Sequence, residues 1–172
     1  MQEIYSESIR KILQNKSKLE KGLRVKITNK GKILFVEGNA EDEYTTIQAI
    51  EAINLGFSTQ QALLLTEEGF ILEKVNIKDL TKRHDLERIR GRIIGTKGKT
   101  KKLMENLSGC IISLHDNTVG IIGRAENIEQ AITALTSLIQ GAKQSKVYGF
   151  LERARSKEKA RLNEDLGLKS KE

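Results

Sequence analysis

The sequence predicts an α+β protein built from two copies of one small unit, each running strand–helix–helix–strand–strand–helix. Three observations carry that expectation: an internal repeat, a pair of short alternating runs ahead of each repeated helix, and a change of charge balance halfway along the chain. "EGNAEDEYTTIQAIEAINLG" (37–56) lies over "IGRAENIEQAITALTSLIQG" (122–141) at a constant offset of 85 residues. Gly38 meets Gly123, Ala40 meets Ala125, Ile47 meets Ile132, Ile50 meets Leu135, Ile53 meets Leu138 and Gly56 meets Gly141. One repeat of this length indicates a duplicated domain, since a solenoid needs three or more.

Each repeated segment places apolar residues at helical spacing and stops at a glycine, the pattern of an amphipathic helix with a C-terminal cap. Ahead of the first copy stand "LRVKIT" and "KILFVEG", joined by Asn29-Lys30-Gly31; ahead of the second stand "CIISLH" and "TVGIIG", joined by Asp116-Asn117. Both pairs read as β-hairpins. Further upstream, "FILEKVNIKDL" (70–80) alternates as a strand, with Ile71, Val75 and Ile77 on one face. "DLERIRGRII" then puts Leu86, Ile89 and Ile93 on one helical face. After Gly-Thr-Lys-Gly comes "KTKKLMENLSG", a helix with Leu103 and Leu107 inward and Gly109 as its stop. The organisation that follows is a first unit over 1–56, a linking helix over 57–69 opening at the N-cap residue Ser58, a second unit over 70–142 and a basic helical tail over 143–172. Within the tail the helix is expected from about Val147 to Asn163. Tyr148, Phe150 and Leu151 are spaced to pack on the domain, and "ERARSKEKAR" reads as a solvated helix with charges of both signs three and four apart.

Composition narrows the function. The 172 residues carry 30 Lys+Arg against 23 Asp+Glu, a net charge of +7. Residues 1–80 hold 11 basic and 12 acidic residues while 81–172 hold 19 and 11, so the excess sits in the second half and suggests a polyanionic partner there. With one cysteine, Cys110, neither a disulfide framework nor a cysteine zinc site can be built. No metal and no cofactor are expected. Two histidines and no set of paired carboxylates leave little material for acid–base chemistry, so the protein is not expected to be an enzyme. A polar N-terminus and the lack of any eighteen-residue apolar run predict a cytoplasmic protein without a membrane span. Few aromatics and no Trp argue against recognition dominated by stacked bases.

The most informative stretch is "RIIGTKGKT", Arg92 to Thr100. Gly98-Lys99-Thr100 looks like the end of a phosphate-binding P-loop, but that motif needs a glycine where Ile93 stands, so nucleotide hydrolysis is rejected. A dinucleotide fingerprint fails too, because G-x-G-x-x-G is absent. A lone GxxG is usually a turn between core helices. Here it joins two helices inside the full unit order.

In that setting the stretch resembles the Ile-Ile-Gly-x-x-Gly motif of type I KH domains, which bind single-stranded nucleic acid. The resemblance implies a GxxG loop, Gly95-Thr96-Lys97-Gly98, that clamps the backbone of about four nucleotides. Gly95 and Gly98 would let a phosphate approach the main chain. The following helix would offer free N–H groups at Thr100 and its neighbours, and Lys97, Lys99, Lys101 and Lys102 would add charge. Ile93 or Ile94, with Leu103 and Ile112, would form an apolar floor for bases. Arg88, Arg90 and Arg92 cannot all face one strand; Arg88 and Arg92 are the candidates.

Together with "AINLGFSTQQALLL", "LIQGA" and "VYGFLERARS", the chain to about Lys159 is similar to archaeal and eukaryotic assembly factors of the small ribosomal subunit. It looks like the archaeal counterpart of the factor that partners the Nob endonuclease. That resemblance implies single-stranded RNA as ligand, namely the 3′ region of small-subunit rRNA, with the nascent subunit and a Nob-type endonuclease as partners. The first unit departs from the pattern. Laying Ile9 and Leu13 over Ile89 and Ile93 puts Asn15 at Gly95 and Lys18 at Gly98. Asn15 is also much closer to Gly22 than Gly95 is to Gly109, which predicts loss of both the loop and about two turns of the next helix. The first unit is therefore expected to be degenerate, suited to bracing or protein contact. Two alternatives remain: a DNA-binding regulator of helix-turn-helix type, and a protein-interaction scaffold or RNA adaptor for another nuclease.

Overall fold

The structure is a computed structural model that describes residues 1–167. Residues 168–172, at the end of the expected tail, lie outside the described residues. The first unit consists of β1 (Gln2–Tyr5), α1 (Ile9–Gln14), α2 (Lys16–Leu23), β2 (Lys26–Lys30), β3 (Ile33–Glu37) and α3 (Ala40–Asn54). A short helix, α4 (Thr59–Leu63), leads through a 3-10 turn into the second unit. That unit consists of β4 (Phe70–Asn76), the single turn α5 (Ile77–Leu80), α6 (Leu86–Ile94), α7 (Lys99–Ser108), β5 (Ile111–His115), β6 (Thr118–Arg124) and α8 (Ala125–Ile139). The tail forms α9 (Gln144–Asp165), longer than expected at both ends. Both sheets are antiparallel with the third strand in the centre, β1-β3-β2 and β4-β6-β5. The mixed α+β architecture and the repeated unit are those the sequence predicts.

Local chemistry explains most boundaries. Asn39 starts α3 by accepting the Asp42 N–H at 2.8 Å, and Ser58 starts α4 in a reciprocal capping box with Gln61. Gly56 and Gly141 end their helices with φ of 98° and 104°, conformations that glycine adopts without strain. The second hairpin turns at Asp116-Asn117 as expected. The first turns at Gly31-Lys32 rather than Asn29-Lys30-Gly31, because Asn29 and Lys30 pair with Leu34 and Ile33. Strand β4 stops at Asn76 instead of running to 80. The Asn76 side chain accepts the Lys78 N–H at 3.0 Å and starts a helical turn that buries Ile77. In β4, Phe70 and Leu72 face the first unit, Val75 packs in the second core and Ile71 is exposed, so the expected Ile71–Val75–Ile77 face is not formed.

The duplication extends into α2, contrary to the expected loss of two turns. Lys16 pairs with Glu20 at 3.8 Å, and Lys101 with Glu105 at 3.9 Å. Glu20 accepts the Ile27 N–H at 2.9 Å, and Glu105 accepts the Ile112 N–H at the same distance. Lys16, Glu20 and Ile27 all keep the offset of 85 from their counterparts. Arg24, not Gly22, holds the left-handed C-cap that Gly109 holds in α7. Gly22 instead makes room for Leu63, whose Cδ2 would lie 2.8 Å from a Cβ there. The distance from Asn15 to Gly22 thus overstates the deletion. What is missing is the loop and the ends of its flanking helices: Asn15 alone separates α1 from α2, α1 has 6 residues against 9 in α6, and α2 has 8 against 10 in α7.

The two units meet on β6. Its residues Val119 and Ile121 face the second core while Ile122 joins the first, so the strand is apolar on both sides. A Cβ on Gly120 would come within 2.8 Å of the Phe57 ring and 3.0 Å of Leu55, so the strand must be bare there for the first unit to seat. Ser113 donates its hydroxyl to the Leu55 carbonyl at 2.7 Å, and Lys11 donates to the Phe57 carbonyl at 2.8 Å.

Two outcomes are expected. Phe57→Ala should cost about 3–5 kcal/mol in denaturant unfolding, because it opens a cavity at the seam. Cys110, 2% exposed, has its thiol pushed up to about 11 by burial, with Glu158 adding to the shift and a contact with Ser108 opposing it. Iodoacetamide at pH 8 should therefore label it roughly two orders of magnitude more slowly than in the urea-unfolded chain.

Candidate nucleic-acid interface

Helix α6 buries Ile89 and Ile93 and ends where Gly95 turns to φ 74°. The N–H of Gly95 still bonds the Gly91 carbonyl at 2.8 Å, closing the helix. A Cβ on Gly95 would collide with the Thr100 hydroxyl and lie 2.8 Å from the Thr100 nitrogen. Thr100 is itself buried and accepts the Gln144 amide of α9 at 3.2 Å. Gly95 is therefore required for close packing of α7 against the end of α6.

Gly98 answers to a different constraint. It has φ 74° and nothing lies within 4 Å of where its Cβ would be, so its surface is open. Between the glycines, Lys97 takes φ 53°, a left-handed conformation that costs a non-glycine residue about 1–2 kcal/mol. Strain of this kind gathers at functional loops. Helix α7 begins directly after Gly98 with neither a side-chain cap nor an acidic residue in its first turn. Its free N–H groups and positive dipole end thus face the loop unneutralised, an arrangement suited to a phosphate.

Comparison with known proteins identifies the domain that carries this loop. Residues 71–156 match the model of the eukaryotic-type (type I) KH domain found second in PNO1 proteins. Dim2p from Pyrococcus horikoshii superposes with a TM-score of 0.80 at 34% identity, over 89% of this chain and 99% of that one. The chain belongs to the PNO1/Dim2 family of KH-domain proteins. A P. horikoshii complex of a/eIF2alpha, aDim2p and rRNA also matches, with a TM-score of 0.82 at 31% identity over 91% of this chain and 94% of that one. Among curated relatives, the KH domain-containing protein MJ0443 of Methanocaldococcus jannaschii is 38% identical over 63% of this chain and 48% of its own length. The pre-rRNA-processing protein PNO1 of Coccidioides immitis is 40% identical over 66% of this chain and 46% of its own length. The chain thus spans about half the length of these curated relatives.

The KH frame sorts the candidate residues. Thr96, Lys97, Lys99 and Lys102 are exposed around the loop, and Arg88 is exposed on α6. Lys101 turns toward Glu105. For the apolar floor, the structure separates the four candidates into two pairs. Ile94 and Leu103 are 40% and 39% exposed, whereas Ile93 and Ile112 are 1% and 2% exposed and belong to the core. Leu103, expected inward, is replaced there by Met104, because α7 is rotated one position from the expected face.

Arg92 serves the fold: its guanidinium donates to the Leu138 carbonyl at 3.1 Å and the Ala142 carbonyl at 2.7 Å, capping the end of α8. Arg90 donates to Asn117 at 3.1 Å and so ties α6 to the second hairpin. Sequence reasoning missed Gln144 and the supporting role of Thr100, since partners 44 residues apart leave no local pattern. Among the described residues no cluster of His, Cys, Asp or Glu could hold a metal ion, and no helix is long and apolar enough to cross a membrane.

Arg92→Lys should lose the two-pronged cap and destabilise the protein by about 1–3 kcal/mol in thermal or denaturant unfolding. Arg88→Gln, at an exposed site, should leave stability within about 0.5 kcal/mol.

Proposed function

We propose that the chain binds single-stranded RNA through the GTKG loop of its second KH domain and takes part, without catalysis, in maturation of the 3′ region of small-subunit rRNA. One observation carries this reading. Left-handed Gly98 and a strained Lys97 hold open backbone against the uncapped start of α7, with Lys97, Lys99 and Lys102 exposed around it. A phosphate meeting this surface finds free N–H donors at close range and formal charge around them. Ile94 and Leu103, the exposed apolar pair, supply the surface on which bases rest.

The family's named members support the biological setting: pre-rRNA-processing proteins, and an aDim2p crystallised with rRNA. The ligand is then the 3′ region of small-subunit rRNA on the nascent subunit, and cleavage belongs to a partner of the Nob-endonuclease type. The first unit, with Asn15 where a loop would be, acts as a brace for the second. A helix-turn-helix DNA regulator would need the α6–α7 pair to lie in a duplex groove. The rRNA complex of the related aDim2p favours RNA over that reading.

Binding of a fluorescent single-stranded RNA matching the 3′ end of small-subunit rRNA tests this across a salt series. A Thr96→Asp, Lys97→Asp double variant should keep its circular dichroism and lose most of its affinity. Its log–log salt slope should flatten by roughly 0.7 for each phosphate that the loop no longer neutralises. An unchanged affinity and slope would place the RNA elsewhere and defeat the assignment.

A further inference from the structure

We propose a second RNA-binding site, remote from the GTKG loop, in the cleft between the distal half of α9 and the adjoining ends of α7 and α8. The cleft holds about 420 Å³ and is lined by Leu107, Gln130 and Phe150 beside a row of cations on α9. Its volume lies within the range of about 300–1,000 Å³ usual for ligand clefts.

Arg153, Lys157 and Arg161 recur every four residues, so they stand about 6 Å apart along one flank of the helix. All three are exposed, and among the described residues none enters an ion pair. Like charges at this spacing repel one another. Glu158 lines the cleft beside these cations, and its carboxylate is also held from across the cleft. With its amide oriented to donate, Asn127 binds both Glu158 carboxylate oxygens at 3.2 Å. The remaining acid of the cleft, Glu126, sits on α8. Four cations (Arg153, Arg155, Lys157 and Arg161) against two acids leave the cleft net positive toward an external polyanion, while half-buried Phe150 and Leu107 provide apolar surface and Gln130 an amide for a base edge.

Charge in register with apolar surface fits a nucleic-acid strand better than an acidic peptide, which needs no stacking face. The GTKG loop opens at the start of α7 and the cleft at its end, about 15 Å away. A strand long enough to leave the loop can therefore occupy both. The cleft site rests on the RNA reading above but draws on different residues.

A six-nucleotide and a twenty-nucleotide RNA of the same 3′-end sequence separate the two sites in the full chain. An Arg153→Gln, Lys157→Gln, Arg161→Gln variant should bind the six-mer as the native protein does. It should bind the twenty-mer about tenfold more weakly, with a salt slope smaller by roughly 2, as expected when three phosphates are no longer neutralised. Thr96→Asp, Lys97→Asp should weaken both probes; if it spares the six-mer, the loop assignment fails while the cleft stands. The cleft proposal is overturned if the triple variant binds the twenty-mer with native affinity and slope, or if it weakens both probes alike. It is also overturned if the variant keeps its RNA affinity but loses binding to polyglutamate, which would make the cleft a docking site for acidic protein.

Discussion

The structure turns on the burial of β6 from both sides. A central strand with one face on its own helices and the other on a neighbouring unit must be apolar throughout, and Val119 to Gly123 are all buried. The first unit reaches this strand through Leu55 and Phe57, and Gly120 is bare where the Phe57 ring lies. This contact gives a unit without a phosphate loop a physical reason to persist. It covers apolar surface that the second sheet would otherwise expose, and burial of that kind is the main favourable term in folding.

From that braced sheet, order passes outward to the loop. Ile112 and Ile121 support Ile89 and Ile93, which fix α6. Arg92 ties α6 to the end of α8, and Gln144 ties α9 to Thr100 beneath Gly95. The loop backbone is therefore held through contacts among four helices, α6 to α9, while its outer surface at Gly98 remains open. A clamp for phosphate benefits from this division, because a preorganised set of N–H groups has little ordering left to undergo when the ligand arrives.

The two units show how a shared frame is kept or lost. The Lys–Glu pair and the Glu-to-strand hydrogen bond recur 85 residues apart, so the second helix of each unit is locked to its sheet in the same way. Removal of the loop left that lock untouched, since it lies wholly C-terminal to the loop. The first unit thus keeps this lock although Asn15 alone stands between its two helices.

The duplicated unit, the hairpins, the helix-stopping glycines and the GTKG loop were all legible in the chain alone. Each of these is written in local periodicity or in residues with distinct backbone preferences, such as Gly56, Gly95 and Gly141. Packing, by contrast, chose which of two adjacent isoleucines faces solvent, leaving Ile94 out and Ile93 in. It also joined Arg92 to the Leu138 and Ala142 carbonyls, and set Glu158 against the Asn127 amide. For both of these side chains the deciding partner lies roughly thirty to fifty residues away. At that separation the packing angle between helices, rather than spacing along the chain, sets what a long side chain can reach.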